Sequence, residues 1–165
     1  MKLLIALVAG ALFCSTFALA QEGATLTPKS LEAALAAKPD GPAGEQLADR
    51  IRSSFGGRDV LMRGAPARID ELTVAFALEV PQLAANAPVP RAVADHGMFN
   101  LPLSKVGTSG VYAGVARLTH GAAFTWHYEA GGARFGGGQL EVRPTPTHAS
   151  APAFRKRAEA DGGMA

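Results

Sequence analysis

Near Arg68 the spacing of apolar residues changes from that of a helix to that of a strand, and it does not change back. In Leu72–Val80 the larger apolar residues take every second place, which is the period of a half-buried strand, and Pro81 stops it. Gln82–Pro90 reads as a loop. A short strand at Ala92-Val93, a turn at Asp95-His96-Gly97 and a strand over Met98–Leu101 follow. Val106–Gly110 forms a connecting turn into a strand over Val111–Leu118, and Thr119-His120-Gly121 turns the chain again. Phe124–Glu129 alternates aromatic with polar residues, and Gly131-Gly132 is a hairpin signal because both positions tolerate positive φ. Gln139–Arg143 is the last strand, ended by Pro144. About six or seven strands joined by turns rather than helices predict a mainly β, antiparallel sandwich.

One or two short helices precede the strands. Thr27-Pro28 has the form of an N-cap followed by proline at the first helical position, with Leu31 and Leu35 one turn apart behind it. Lys38–Pro42 ends that helix. Leu47, Ile51 and Phe55 then make an apolar stripe at i, i+4, i+8, and Gly56-Gly57 stops it. Such stripes serve packing. Residues 21–43, rich in Ala, Pro and Gly, are expected to form a loosely organised leader, and residues 44–147 the helix-plus-sandwich domain. The basic cluster Arg155-Lys156-Arg157 lies in a tail, residues 148–165, expected to be disordered.

The first twenty residues have the three zones of a secretory signal. Lys2 supplies the charge, Leu3–Leu12 the apolar run, and Ala18-Leu19-Ala20 the small residues before a cleavage site between Ala20 and Gln21. The run is too short to span a bilayer, which needs about 20 apolar residues. Cys14 is the single cysteine, and Phe13 before it does not suit lipidation. The mature chain would be periplasmic or secreted, detached from the membrane, and held together by packing without disulfides. The chain has 16 basic and 14 acidic residues, and Lys2 is the one charge in the signal, so the mature charge is close to balanced. With no basic stripe either, nucleic acid is not an expected partner.

No catalytic constellation stands out. Gly107-Thr108-Ser109-Gly110 is the nearest text to a nucleophile elbow, but the spacing is wrong and no helix follows. His96, His120, His127 and His148 lack ligand spacing, so neither a metal site nor a cofactor is expected. Asp95, Glu129 and Glu141 carry no mark of a buried acid. Gly136-Gly137-Gly138 does not open a helix and so lacks the context of a phosphate loop.

The aromatic residues offer more. Phe124, Trp126 and Tyr128 share one strand face, and Phe135 sits beyond the hairpin turn. The stripe reads first as the core of the sandwich. An exposed Trp126 or Phe135 would instead be a platform for stacking against a sugar ring, and these two are the candidate ligand-binding residues. His127 and Glu129 point to the opposite face, where they serve a site or meet water.

Phe124–Val142 (FTWHYEAGGARFGGGQLEV) resembles the last strands of an N-terminal domain found on exported esterases of the enterochelin-esterase-like type. Leu47–Gly57 (LADRIRSSFGG), Gly64-Ala65-Pro66, Val74–Val80 and Phe99–Leu103 agree with it, so the likeness covers residues 47–148. It implies an early-set, immunoglobulin-like sandwich akin to glycogen-binding modules, placed ahead of an α/β-hydrolase. Only 17 residues follow His148. The expectation is therefore a non-catalytic accessory module, from a truncated esterase or made independently, that docks on a hydrolase. The alternative is a stand-alone periplasmic protein that binds a polysaccharide.

Overall fold

The computed structural model describes residues 25–143. The signal segment with its Ala20–Gln21 junction, Cys14, His148 and the basic tail lie outside them. Three helices come first: α1 (Pro28–Ala36), α2 (Gly41–Phe55) and α3 (Arg58–Met62). Eight strands follow: β1 (Arg68–Asp70), β2 (Thr73–Glu79), β3 (Arg91–Ala94), β4 (Asn100–Pro102), β5 (Ser104–Val106), β6 (Val111–Arg117), β7 (Ala123–Ala130) and β8 (Ala133–Glu141). They form two four-stranded antiparallel sheets, in the orders β1-β2-β6-β5 and β4-β3-β7-β8. The fold is a β-sandwich preceded by helices.

The helix boundaries follow from local chemistry. The Thr27 side chain accepts from Ser30 N and the Ser30 hydroxyl accepts from Thr27 N, so two otherwise orphaned donors are met at the start of α1. Asp40 caps α2, and Gly56 ends it in the left-handed region at φ 97°. α3 was not expected from the sequence. It is a single turn whose Leu61 is fully buried.

One core lies between the sheets. Val74, Phe76 and Leu78 of the first sheet meet Ala92, Phe124, Trp126, Tyr128 and Leu140 of the second. Phe76 stands opposite Gly114 on β6, whose missing side chain leaves room for Leu101 and Leu103 to close over the strand. A second core lies outside the first sheet. There Leu26, Leu31, Leu47, Ile51, Phe55 and Leu61 of the helical layer pack on Ala75, Ala77, Val106, Val111 and Ala113.

This second core corrects two expectations. β2 is buried along its whole length rather than on one face, because helices cover the other side. The segment 21–43 is not a loose leader throughout: Leu26 and Leu31 are buried, and α1 packs on β6, β2 and β1. A boundary at residue 43 therefore cuts through one layer.

Strand bounds also shift. Asp95–Gly97 turns as expected, as a 3-10 turn, but β4 starts at Asn100 rather than Met98. β1 and β5, at three residues each, are too short to show a period. β8 starts at Ala133, right after the hairpin, rather than at Gln139, so Gly136-Gly137-Gly138 lies inside it.

An ionic clasp ties the layers together. The Glu79 side chain, fully buried, receives Arg52 Nε at 3.0 Å on one oxygen and Arg52 Nη2 at 3.1 Å on the other. Arg58 Nε lies 3.1 Å from it as well. Without those guanidinium groups the carboxylate would be an uncompensated buried charge. At the other end of α2, Thr108 donates its backbone N–H and its hydroxyl to Glu45, which joins that helix to the β5–β6 turn. These bonds hold the Glu45 carboxyl below its ordinary value.

Candidate functional site

With the first sheet roofed by helices, the outer face of the second is the sheet surface left uncovered by the described residues. β7 supplies its centre. Phe124, Trp126, Tyr128 and Ala130 turn inward, so Thr125, His127 and Glu129 turn outward in a row. Register brings neighbours alongside: Arg91 of β3 and Arg134 of β8 both stand opposite Glu129. Asp95 arrives from the 3-10 turn just beyond Ala94, whose partner is Trp126.

These side chains form a polar chain across the face. Thr125 Oγ1 bonds the Asp95 carboxylate, Asp95 Oδ1 lies 3.8 Å from His127 Nδ1, and His127 Nε2 lies 3.1 Å from Glu129 Oε1. The histidine is largely covered while its two acids are about half exposed. Glu129 thus orients the ring through a hydrogen bond, while Asp95 is held by Thr125 and lies beyond hydrogen-bond distance of the ring. The one hydroxyl in this row, Thr125 Oγ1, donates to Asp95. The three ligating side chains also do not converge as a metal site requires, and no such cluster occurs among the described residues.

A cleft of about 340 Å³ opens where the row reaches the β7–β8 hairpin. Val89, Arg91, Glu129 and Arg134 line it, together with Gly131 and Gly132 of the turn. The two glycines have φ of 55° and 83°, in the left-handed region that favours glycine, and the tight turn keeps Arg134 close to the strand end. Neither arginine forms an ion pair with any described residue, although each faces Glu129 across the sheet. Val89, 54% exposed, gives the cleft an apolar wall.

The aromatic candidates are elsewhere. Trp126 is 4% exposed and packs edge-on against Phe76 at 5.0 Å and Tyr128 at 4.9 Å, inside the core between the sheets. It therefore presents no face to solvent, and the platform expectation does not hold for it. Phe135, opposite Tyr128, is half-buried and packs against that same core. The stripe is core, as its first reading had it.

The glycine run explains why β8 can pass so close. Trp126 pairs with Gly138 but Tyr128 pairs with Phe135, so Gly136 and Gly137 bulge opposite the single residue His127. A Cβ on Gly137 would stand 2.2 Å from the Trp126 carbonyl oxygen. Beneath the bulge, the Tyr128 hydroxyl donates to Ala65 O at 2.8 Å and accepts from Ala77 N at 3.0 Å. Burial pushes this phenol above its ordinary value, against the smaller opposing effect of the Ala77 bond.

Ser109 lies in the β5–β6 turn of the other sheet, with its hydroxyl buried and unpartnered among the described residues. The polar row lies on the second sheet. His96 and His120 are exposed turn residues. The alternation of Thr125, His127 and Glu129 was visible in the sequence, but the approach of Arg91, Asp95 and Arg134 depends on strand register. No protein-family model matches the chain, and no curated protein matches it at a significant level. What the domain does must be read from its own surface.

Proposed function

We propose that this domain is a non-catalytic accessory module, of the kind that precedes the hydrolase domain of exported esterases. It is exported, and it presents one sheet face to a hydrolase or to that enzyme's substrate. The observation that carries this reading is the unequal covering of the two sheets. Helices bury the outside of one, while the outside of the other keeps an ordered row of charged and hydroxyl side chains. A face held in place by hydrogen bonds and left open to water is suited to recognition.

A test is the hydrolysis of short-chain p-nitrophenyl esters by the purified protein. Turnover should not exceed background. Turnover abolished by Ser109→Ala would make the protein an enzyme and overturn the reading.

The cleft at the hairpin favours a second reading, a carbohydrate-binding protein that acts by itself. The burial of Trp126 removes the stacking platform first expected for it. Binding would rest instead on the polar groups of Arg91, Glu129 and Arg134 beside the Val89 wall.

A further inference from the structure

Resting on that second reading, we propose that the hairpin cleft takes a sugar acid, a uronate residue of an acidic polysaccharide. Arg91 and Arg134 come from strands on either side of β7 and meet at the cleft without a carboxylate partner among the described residues. Glu129 lies between them, and its Oε1 is already engaged by His127 Nε2 at 3.1 Å. The local balance is therefore two guanidinium groups against one partly committed carboxylate. This leaves a net demand for one negative charge.

The geometry of the demand selects a carboxylate. A guanidinium presents a planar fork of donors that matches the two oxygens of a carboxylate, and a charge-assisted pair of this kind is stronger than a neutral hydrogen bond. The rest of the lining selects what the carboxylate is attached to. The free oxygen of Glu129 is an acceptor, and it calls for a hydroxyl donor on the ligand. Val89 and Pro88 offer an apolar wall, which suits the C–H face of a sugar ring. A volume of about 340 Å³ is at the small end of ligand sites and has room for roughly one or two rings. A ring that carries a carboxylate, hydroxyls and a C–H face is a uronate.

Calorimetric titration of the whole protein with trigalacturonate, with maltotriose as the neutral arm and succinate as the carboxylate arm, tests this at low salt. Trigalacturonate should bind saturably, at least tenfold tighter than either of the others. Arg134→Gln and Arg91→Gln should each weaken it at least tenfold, and Arg134→Lys should restore part of the loss. Arg134 is exposed, so its replacement should leave the circular dichroism and melting temperature unchanged. Maltotriose binding as tightly would leave a carbohydrate-binding protein and remove the preference for acidic sugars. Succinate binding as tightly would reduce the cleft to a simple anion site, which overturns the sugar-acid assignment. Absence of binding to either saccharide would remove the carbohydrate reading along with the inference.

Discussion

The two sheets of the sandwich have equal numbers of strands and opposite fates on their outer faces. β2 runs Val74-Ala75-Phe76-Ala77-Leu78, large residues toward the other sheet and alanines toward the helices. β7 runs Phe124-Thr125-Trp126-His127-Tyr128-Glu129, large residues again toward the core but polar ones outside. Alternation of large with small belongs to a strand covered on both sides. The alanines let α1, α2 and α3 approach closely, and apolar burial rewards the approach. Alternation of apolar with polar belongs to a strand that faces water. One sheet is thus buried on both faces, and the other turns a polar face outward.

Substitutions should separate the two regions by size of effect. Phe76→Ala, in the core shared by both sheets, should cost about 3–5 kcal/mol in a denaturant titration, since the side chain is fully buried. A cost below about 1 kcal/mol would place Phe76 outside a packed core. Arg52→Ala comes next, at about 3 kcal/mol, because it strips the bidentate partner from buried Glu79 and leaves only Arg58. An unchanged melting curve would mean that the helical layer is not clasped to the sheet through Glu79.

Tyr128→Phe should cost about 1–3 kcal/mol, because it orphans Ala77 N and Ala65 O in a dry site. This residue also gives the stability a pH dependence. Its folded phenol titrates above the ordinary value of 10.0, so its contribution is complete below that value and is lost as pH rises past it. The Phe variant should therefore lose less stability than wild type between neutral pH and the alkaline range. Gln139→Ala, exposed on the outer face of the second sheet, should stay within about 0.5 kcal/mol. A larger loss there would show that the open face contributes to folding.

Much of the fold was legible from the sequence. Thr27-Pro28, the Leu47-Ile51-Phe55 stripe, the hairpin at Gly131-Gly132 and the inward aromatics of β7 all rest on local rules, and local rules decided them. The double burial of β2 is also written in its sequence, in alanines where a half-exposed strand would carry polar residues. Alternation alone does not separate a strand covered on both faces from one half-exposed. β1 and β5 are too short for any period to register. Of the candidate site, Thr125, His127 and Glu129 could be placed on one face in advance. Arg91 and Arg134 could not, since they reach Glu129 only through pairings set by the fold. Trp126 shows the opposite limit, because residue type suggested a ligand platform and packing made it core.

The most direct measurement of the unequal covering is thiol labelling, in a background where Cys14, the only cysteine, is replaced by Ser. Ala77→Cys would place a thiol under the helices, and Gln139→Cys would place one on the open face of the second sheet. The account predicts that the thiol at position 139 reacts as fast as in the unfolded chain. The one at position 77 should react only when the protein opens. Equal and rapid labelling at both positions would contradict it, because the first sheet would then be as bare as the second.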